Sequence, residues 1–231
     1  MEEIQKELEE NFKKNPNDFN SFKDLILFYL KETNVKYWNK ALEIFSQKSS
    51  LFTNIPEYYS LLSGYYTRVK YREAKSLAIE ALQKAMNLDD KNPRWYVQMG
   101  FVYWHFDEIE NAIRWTESAL DLAGSFPDYG EKIVSLIKNN LAFYYACVGR
   151  NKEQAIEYAK EAYRILPNAP RTDTLGYVYM KFAESMDDLL RAKDLLENAR
   201  NMEGAIPEEV DKHLAEWKKR RGEMEKSKGV Q

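Results

Sequence analysis

Five tyrosines, Tyr29, Tyr66, Tyr103, Tyr145 and Tyr179, recur along the chain, each with Leu25, Leu62, Met99, Leu141 or Leu175 four positions before it. Their separations are 37, 37, 42 and 34 residues. That is the period of a helix-turn-helix unit, which cannot bury its apolar face alone and must lean on a neighbouring unit. A second row follows the first: Ala41, Ala78, Ala112, Ala155 and Ala192, with Ala85, Ala119, Ala162 and Ala199 seven residues after the last four. Seven residues make about two helical turns, so these alanines form one stripe on which two helices can approach closely. Lys48 stands at the second alanine position of the first unit, as a terminal repeat with a partner on one side tolerates. A third row, Ile26, Ser63, Gly100, Ala142 and Gly176, lies three residues before the tyrosines and is small in four of five cases. Small side chains there admit the facing helix.

Breaker residues divide the chain at matching places. Residues 1–14 carry Ile4, Leu8 and Phe12 at a spacing of four on a charged segment, which reads as an amphipathic helix. Asn15-Pro16-Asn17-Asp18 ends it and caps the next. Hairpins are expected over 17–52, 55–90, 93–124, 131–167 and 170–204. A last helix over 207–225, opened by Pro207 and carrying Val210, Leu214 and Trp217, is expected to cover the end of the stack. Ser125-Phe126-Pro127-Asp128-Tyr129-Gly130 accounts for the 42-residue interval, as an exposed loop or as a longer first helix. The 231 residues are expected to form one elongated domain with a distributed core. Hydrophobic residues at 44 % and aromatics at 14 % suffice to fill the helix interfaces, and charged residues at 31 % cover the outer faces.

The third unit runs Asn92-Pro93-Arg94-Trp95-Tyr96, then Met99-Gly100, Tyr103, Ala112 and Ala119; the fifth contains Thr174-Leu175-Gly176-Tyr177-Val178-Tyr179. This order of aromatic, Leu-Gly, Tyr, Ala and a later Ala resembles the tetratricopeptide repeat over residues 17–204. The chain departs from that pattern in two respects. Its intervals from the small residue to the first alanine are 15, 15, 12, 13 and 16 residues, where the family has about 12. The early aromatic is present as Phe22, Tyr59 and Tyr96 but replaced by Lys138 and Thr172.

The resemblance implies an all-α, right-handed α-solenoid of stacked antiparallel helix pairs, with flanking helices at both ends and the first helix of each pair lining a concave groove. Carried over position by position, the groove takes Lys23, Leu27 and Lys31 from the first repeat and Arg68 from the second. It takes Arg94, Val97, Phe101, Trp104 and His105 from the third, Asn139 and Phe143 from the fourth and Tyr177 from the fifth. The aromatic members would offer pockets to apolar side chains of a peptide, and the cations and Asn139 would hold its carbonyls or acidic groups. One subclass of these repeats clamps the carboxylate tail of chaperones with lysine, asparagine and arginine. Here the matching sites hold Lys23 with Leu27, Ser60 with Gly64 and Val97 with Phe101, so only one basic member is present.

A net charge of −3 supplies no field toward nucleic acid or an anionic membrane. The run Lys218-Lys219-Arg220-Arg221, flanked by Glu216, Glu223 and Glu225, reads as cations at a helix carbonyl end rather than a nucleic-acid site. Met1 to Glu7 lacks a basic region followed by an apolar run, no long apolar stretch exists, and Cys147 is the single cysteine. No signal peptide, membrane span or internal disulfide is expected, and the default location is cytoplasmic. His105 and His213 lack zinc-ligand spacing, and there is no phosphate loop, dinucleotide turn or nucleophile elbow. No enzymatic activity, cofactor or metal is expected. The function read from the chain is a protein-protein interaction scaffold binding a peptide segment of a partner in its concave groove. The alternatives are a self-associating structural scaffold using edge or convex surfaces, forming a homo-oligomer, and a regulatory or nucleic-acid-associated adaptor.

Overall fold

The computed structural model describes residues 2–32, 34–69, 72–126 and 130–228, and among these residues every regular element is helical. Two compact units divide the chain, Met1–Glu108 and Ile109–Gln231. The first holds α1 (Glu2–Lys14), α2 (Phe19–Lys31), α3 (Val35–Lys48), α4 (Pro56–Arg68), α5 (Ala74–Leu88) and α6 (Pro93–His105). The second holds α7 (Ile109–Ser125), α8 (Gly130–Val148), α9 (Lys152–Ile165), α10 (Ala169–Lys181), α11 (Met186–Asn201) and α12 (Pro207–Lys228). The division falls inside the hairpin assigned to 93–124. Residues 127–129, in the segment read as a loop or a longer helix, lie outside the described residues.

Helix starts follow local chemistry. Asp18, Asn34, Asn92 and Asn168 accept from backbone amides at the starts of α2, α3, α6 and α10, and Ser185 forms a capping box with Asp188 at α11. Within each unit, short connections then bring each helix against its predecessor. In the first unit α2 packs on α3 and α4, and α4 packs on α5 and α6. In the second α8 packs on α9 and α10, and α10 packs on α11 and α12. The first helices of successive pairs therefore stand side by side, and α12 occupies the place a further first helix would take.

The alanine stripe is the packing surface. All nine stripe alanines, from Ala41 to Ala199, are 0 % exposed. At Gly176 the approach is close: an added Cβ would lie 2.9 Å from Leu196 Cγ and 3.1 Å from the Ala192 carbonyl oxygen. Tyr29 and Tyr145 bury their rings and keep their hydroxyls partnered, while Tyr66, Tyr103 and Tyr179 are half-buried. Tyr29 donates to Glu9 Oε1 at 2.7 Å and Tyr145 to Glu117 Oε1 at 2.7 Å, while Lys75 lies 5.2 Å over the Tyr103 ring.

The first unit closes on an aromatic cluster. Phe22 packs against Phe45, Phe52 and Tyr58 at ring-centroid distances of 5.5, 5.0 and 5.8 Å, and the Tyr58 hydroxyl donates to the Phe45 carbonyl at 3.2 Å. In the second and third repeats the fully buried early aromatic is Tyr58 and Trp95, one position before the expected Tyr59 and Tyr96, which stay half-buried. Side chains on a helix lean toward its N-terminus, so a one-residue change is enough to move a ring from the core to its edge. The second unit uses a polar lock as well: buried Arg171 donates to Ser135 Oγ at 2.6 Å, which donates to the Ala162 carbonyl at 3.0 Å. Burial holds the Arg171 guanidinium below the usual arginine range.

Candidate functional site

Three first helices of the first unit, α2, α4 and α6, enclose an open cleft of about 340 Å³. Leu27 and Lys31 come from α2, Ser60, Gly64 and Arg68 from α4, and Gln98, Phe101 and His105 from α6. Spacings of three or four residues within each set place its members on one face of its helix. A reciprocal pair fixes α4 to α6 at the floor: Ser60 Oγ donates to Gln98 Oε1 at 2.6 Å, and Gln98 Nε2 donates to the Ser60 carbonyl at 2.7 Å. Ser60 holds one of the positions that the family resemblance places on the groove, whereas Gln98 carried no distinctive sequence signal. Leu27 and Phe101 stand above this floor at 42 and 44 % exposure, large apolar side chains left in water. Phe101 is steadied by Trp104 and His105, with ring centroids 5.6 and 6.2 Å away.

Of the residues expected in the groove, Leu27, Lys31, Arg68, Phe101 and His105 come together here. Lys23 is half-buried and donates to Asn20 Oδ1 at 3.2 Å. Arg94 is exposed in the first turn of α6, Trp104 is half-buried, and Val97 is buried.

The second unit brings Asn139, Phe143 and Tyr177 to the row formed by α8 and α10, and there the chain's own last helix lies against Phe143 and Tyr177. His213 of α12 lies 4.4 Å from the Tyr177 ring and 6.0 Å from Phe143, and its Nδ1 is 2.9 Å from Asp173 Oδ1. Lys181 closes on Glu216 at 2.8 Å. Tyr177 is left 6 % exposed, and burial raises its pKa well above the usual tyrosine range. Cys147, 3.8 Å from the Tyr177 hydroxyl, has its thiol pushed up by burial, which disfavours the reactive thiolate. Asn139 is buried, and its Oδ1 has no partner. Trp217 and Val210 anchor α12, and Trp217 Nε1 donates to the Leu189 carbonyl at 2.6 Å. His213 was missed as a member of this surface, although Val210, His213, Leu214 and Trp217 make one helical stripe in the sequence.

Among the described residues no group of three or more His, Cys, Asp or Glu could hold a metal ion, and no helix is long and apolar enough to cross a membrane.

No protein-family model and no curated protein matches the sequence. Solved structures match the fold. A chain of the APC/C hetero-tetramer Cut9-Hcn1 superposes with a TM-score of 0.67 at 17 % identity, over 94 % of this chain and 39 % of that one. This chain thus spans about two fifths of that protein's length. BtubC (BKLC) from P. vanneervenii matches with a TM-score of 0.54 at 21 % identity, over 90 % of this chain and 87 % of that one. PilW, a widely conserved type IV pilus biogenesis factor, matches at 0.52 and 14 % identity, over 84 and 91 %. The chain has the tetratricopeptide-repeat fold, an all-α architecture of paired, adjacent helices.

Proposed function

We propose that the chain is a protein-interaction scaffold that holds a peptide segment of a partner against α2, α4 and α6. The observation that carries this reading is the cleft itself, where Leu27 and Phe101 stay exposed beside the cationic ends of Lys31 and Arg68. A monomeric surface gains nothing by leaving two large apolar side chains over a concavity, whereas a peptide side chain seated between them removes both from water. The match to a chain of a hetero-tetramer supports the same reading, since in that assembly this fold joins other chains. Partners captured from the native cell extract are expected to be lost on a Leu27→Ala/Phe101→Ala variant and kept by Leu190→Ala. Retention by the double variant would move the site elsewhere.

A second reading, association through the outer surface, is favoured by a wide cleft of about 630 Å³ along α10 and α11, where Leu190 is 47 % exposed between Asp187, Arg191 and Asp194. Solution mass measured across a range of concentrations tests it. A mass that rises with concentration and falls back in Leu190→Glu supports self-association, and a constant monomer mass removes it.

A further inference from the structure

The cations of the first-unit cleft differ from several others that lie near a helix interface. Lys40 closes on Glu9, Lys75 on Glu108, Lys138 on Glu161 and Lys181 on Glu216. Lys31 and Arg68, which line the cleft, have no ion-pair partner among the described residues, and no Asp or Glu lines it with them. In a chain with three more acidic than basic residues, a cleft lined by two cations and by no carboxylate among the described residues is a local exception. Arg68 stays open to solvent, yet the protein around it withdraws enough water to hold its pKa below the usual arginine range. Loss of hydration without a compensating carboxylate is a cost that an anionic ligand relieves.

We infer that the cleft is selective for an acidic segment bearing a large apolar residue, its carboxylate held by Lys31 and Arg68 and its apolar side chain laid on Leu27 and Phe101. The inference rests on the peptide-binding reading above and adds the chemistry of the occupant. Arg68 can meet a carboxylate with two parallel hydrogen bonds, and Lys31 adds a third, charge-assisted one. The cleft, about 340 Å³, admits a large side chain with its acidic neighbour. Two cations are too few for the run of phosphate contacts on which nucleic-acid affinity depends.

A library of short random peptides displayed on phage and selected against the full chain tests this. Recovered sequences are expected to place Asp or Glu within two residues of Leu, Met, Phe or Trp. The synthetic peptides should bind the Lys31→Glu/Arg68→Glu variant about tenfold or more weakly, the loss expected when charge-assisted hydrogen bonds are removed. Circular dichroism on this variant should show unchanged helicity, both side chains being exposed. Peptides without acidic excess that are still lost on Leu27→Ala/Phe101→Ala would overturn the acidic selectivity and leave the site standing. Peptides indifferent to both variants, or none recovered, would overturn the site and the inference together. Displacement of the peptides by a single-stranded RNA oligonucleotide, with no acidic preference among them, would reassign the cations to phosphate.

Discussion

Two glycines on first helices show how differently one residue type can be required. Gly176 lies where α10 meets α11, and a Cβ there would press on Leu196 and on the Ala192 carbonyl, a backbone atom that cannot swing aside. Gly176→Ala is expected to cost about 1–3 kcal/mol and to lower Tm by several degrees. Gly64 faces the open cleft, where an added Cβ would meet Leu30 Cδ1 at 3.8 Å and Gln98 Nε2 at 3.9 Å, ordinary contact distances. Gly64→Ala is therefore expected to stabilise by about 0.5–1 kcal/mol, the helical preference of alanine over glycine. Matched thermal melts of the two variants check both signs. Glu9 supplies a pH-dependent case. Hydrogen bonds from Lys40, then Gln5, and from the Tyr29 hydroxyl hold its pKa down at about 2, well below the ordinary carboxylate value. A carboxylate depressed on folding contributes stability above its unfolded pKa and loses it as pH falls toward the folded one. Tm of the wild type should accordingly fall between about pH 5 and about pH 2 more steeply than Tm of Glu9→Gln. Parallel curves would show that the network contributes little.

At the level of single helices, α12 unites two roles that the chain's composition conceals. Its stripe Val210, His213, Leu214 and Trp217 covers α10 and α11 as a cap must, while His213 and Glu216 also engage Asp173, Tyr177 and Lys181 on the row of first helices. Trp217 is 3 % exposed and hydrogen-bonded to the Leu189 carbonyl. Its replacement by alanine is expected to cost about 3–5 kcal/mol. Amide exchange in α11 and α12 should accelerate strongly in Trp217→Ala, and fluorescence quenching should find Tyr177 more accessible. Exchange confined to wild-type rates would mean that α12 is held by something other than this anchor.

At the scale of the whole molecule, burial within each unit is supplied by contacts between neighbouring helices. A core distributed in this way loses stability locally. The Gly176→Ala lesion should therefore raise exchange in α8–α12 well before it does so in α1–α5, and equal acceleration throughout would show that the chain opens as one cooperative body. The helix pairs were legible in the sequence because a stripe is a local property: Ala78 and Ala85, or Leu175, Gly176 and Tyr179, share a face by helical geometry alone, whichever helix covers them. Which face would remain open was not legible. Lys31 and Lys181 hold comparable places in their repeats, yet Glu216 of the last helix neutralises Lys181 and nothing among the described residues neutralises Lys31. Phe101 and Tyr177 are likewise equivalent by position, and His213 covers Tyr177 while Phe101 stays in water. Periodicity alone determined the helices and their buried stripes. Only the tertiary structure decided which cations and rings were left unpartnered, because that depends on side chains distant in sequence, and no local period encodes their meeting.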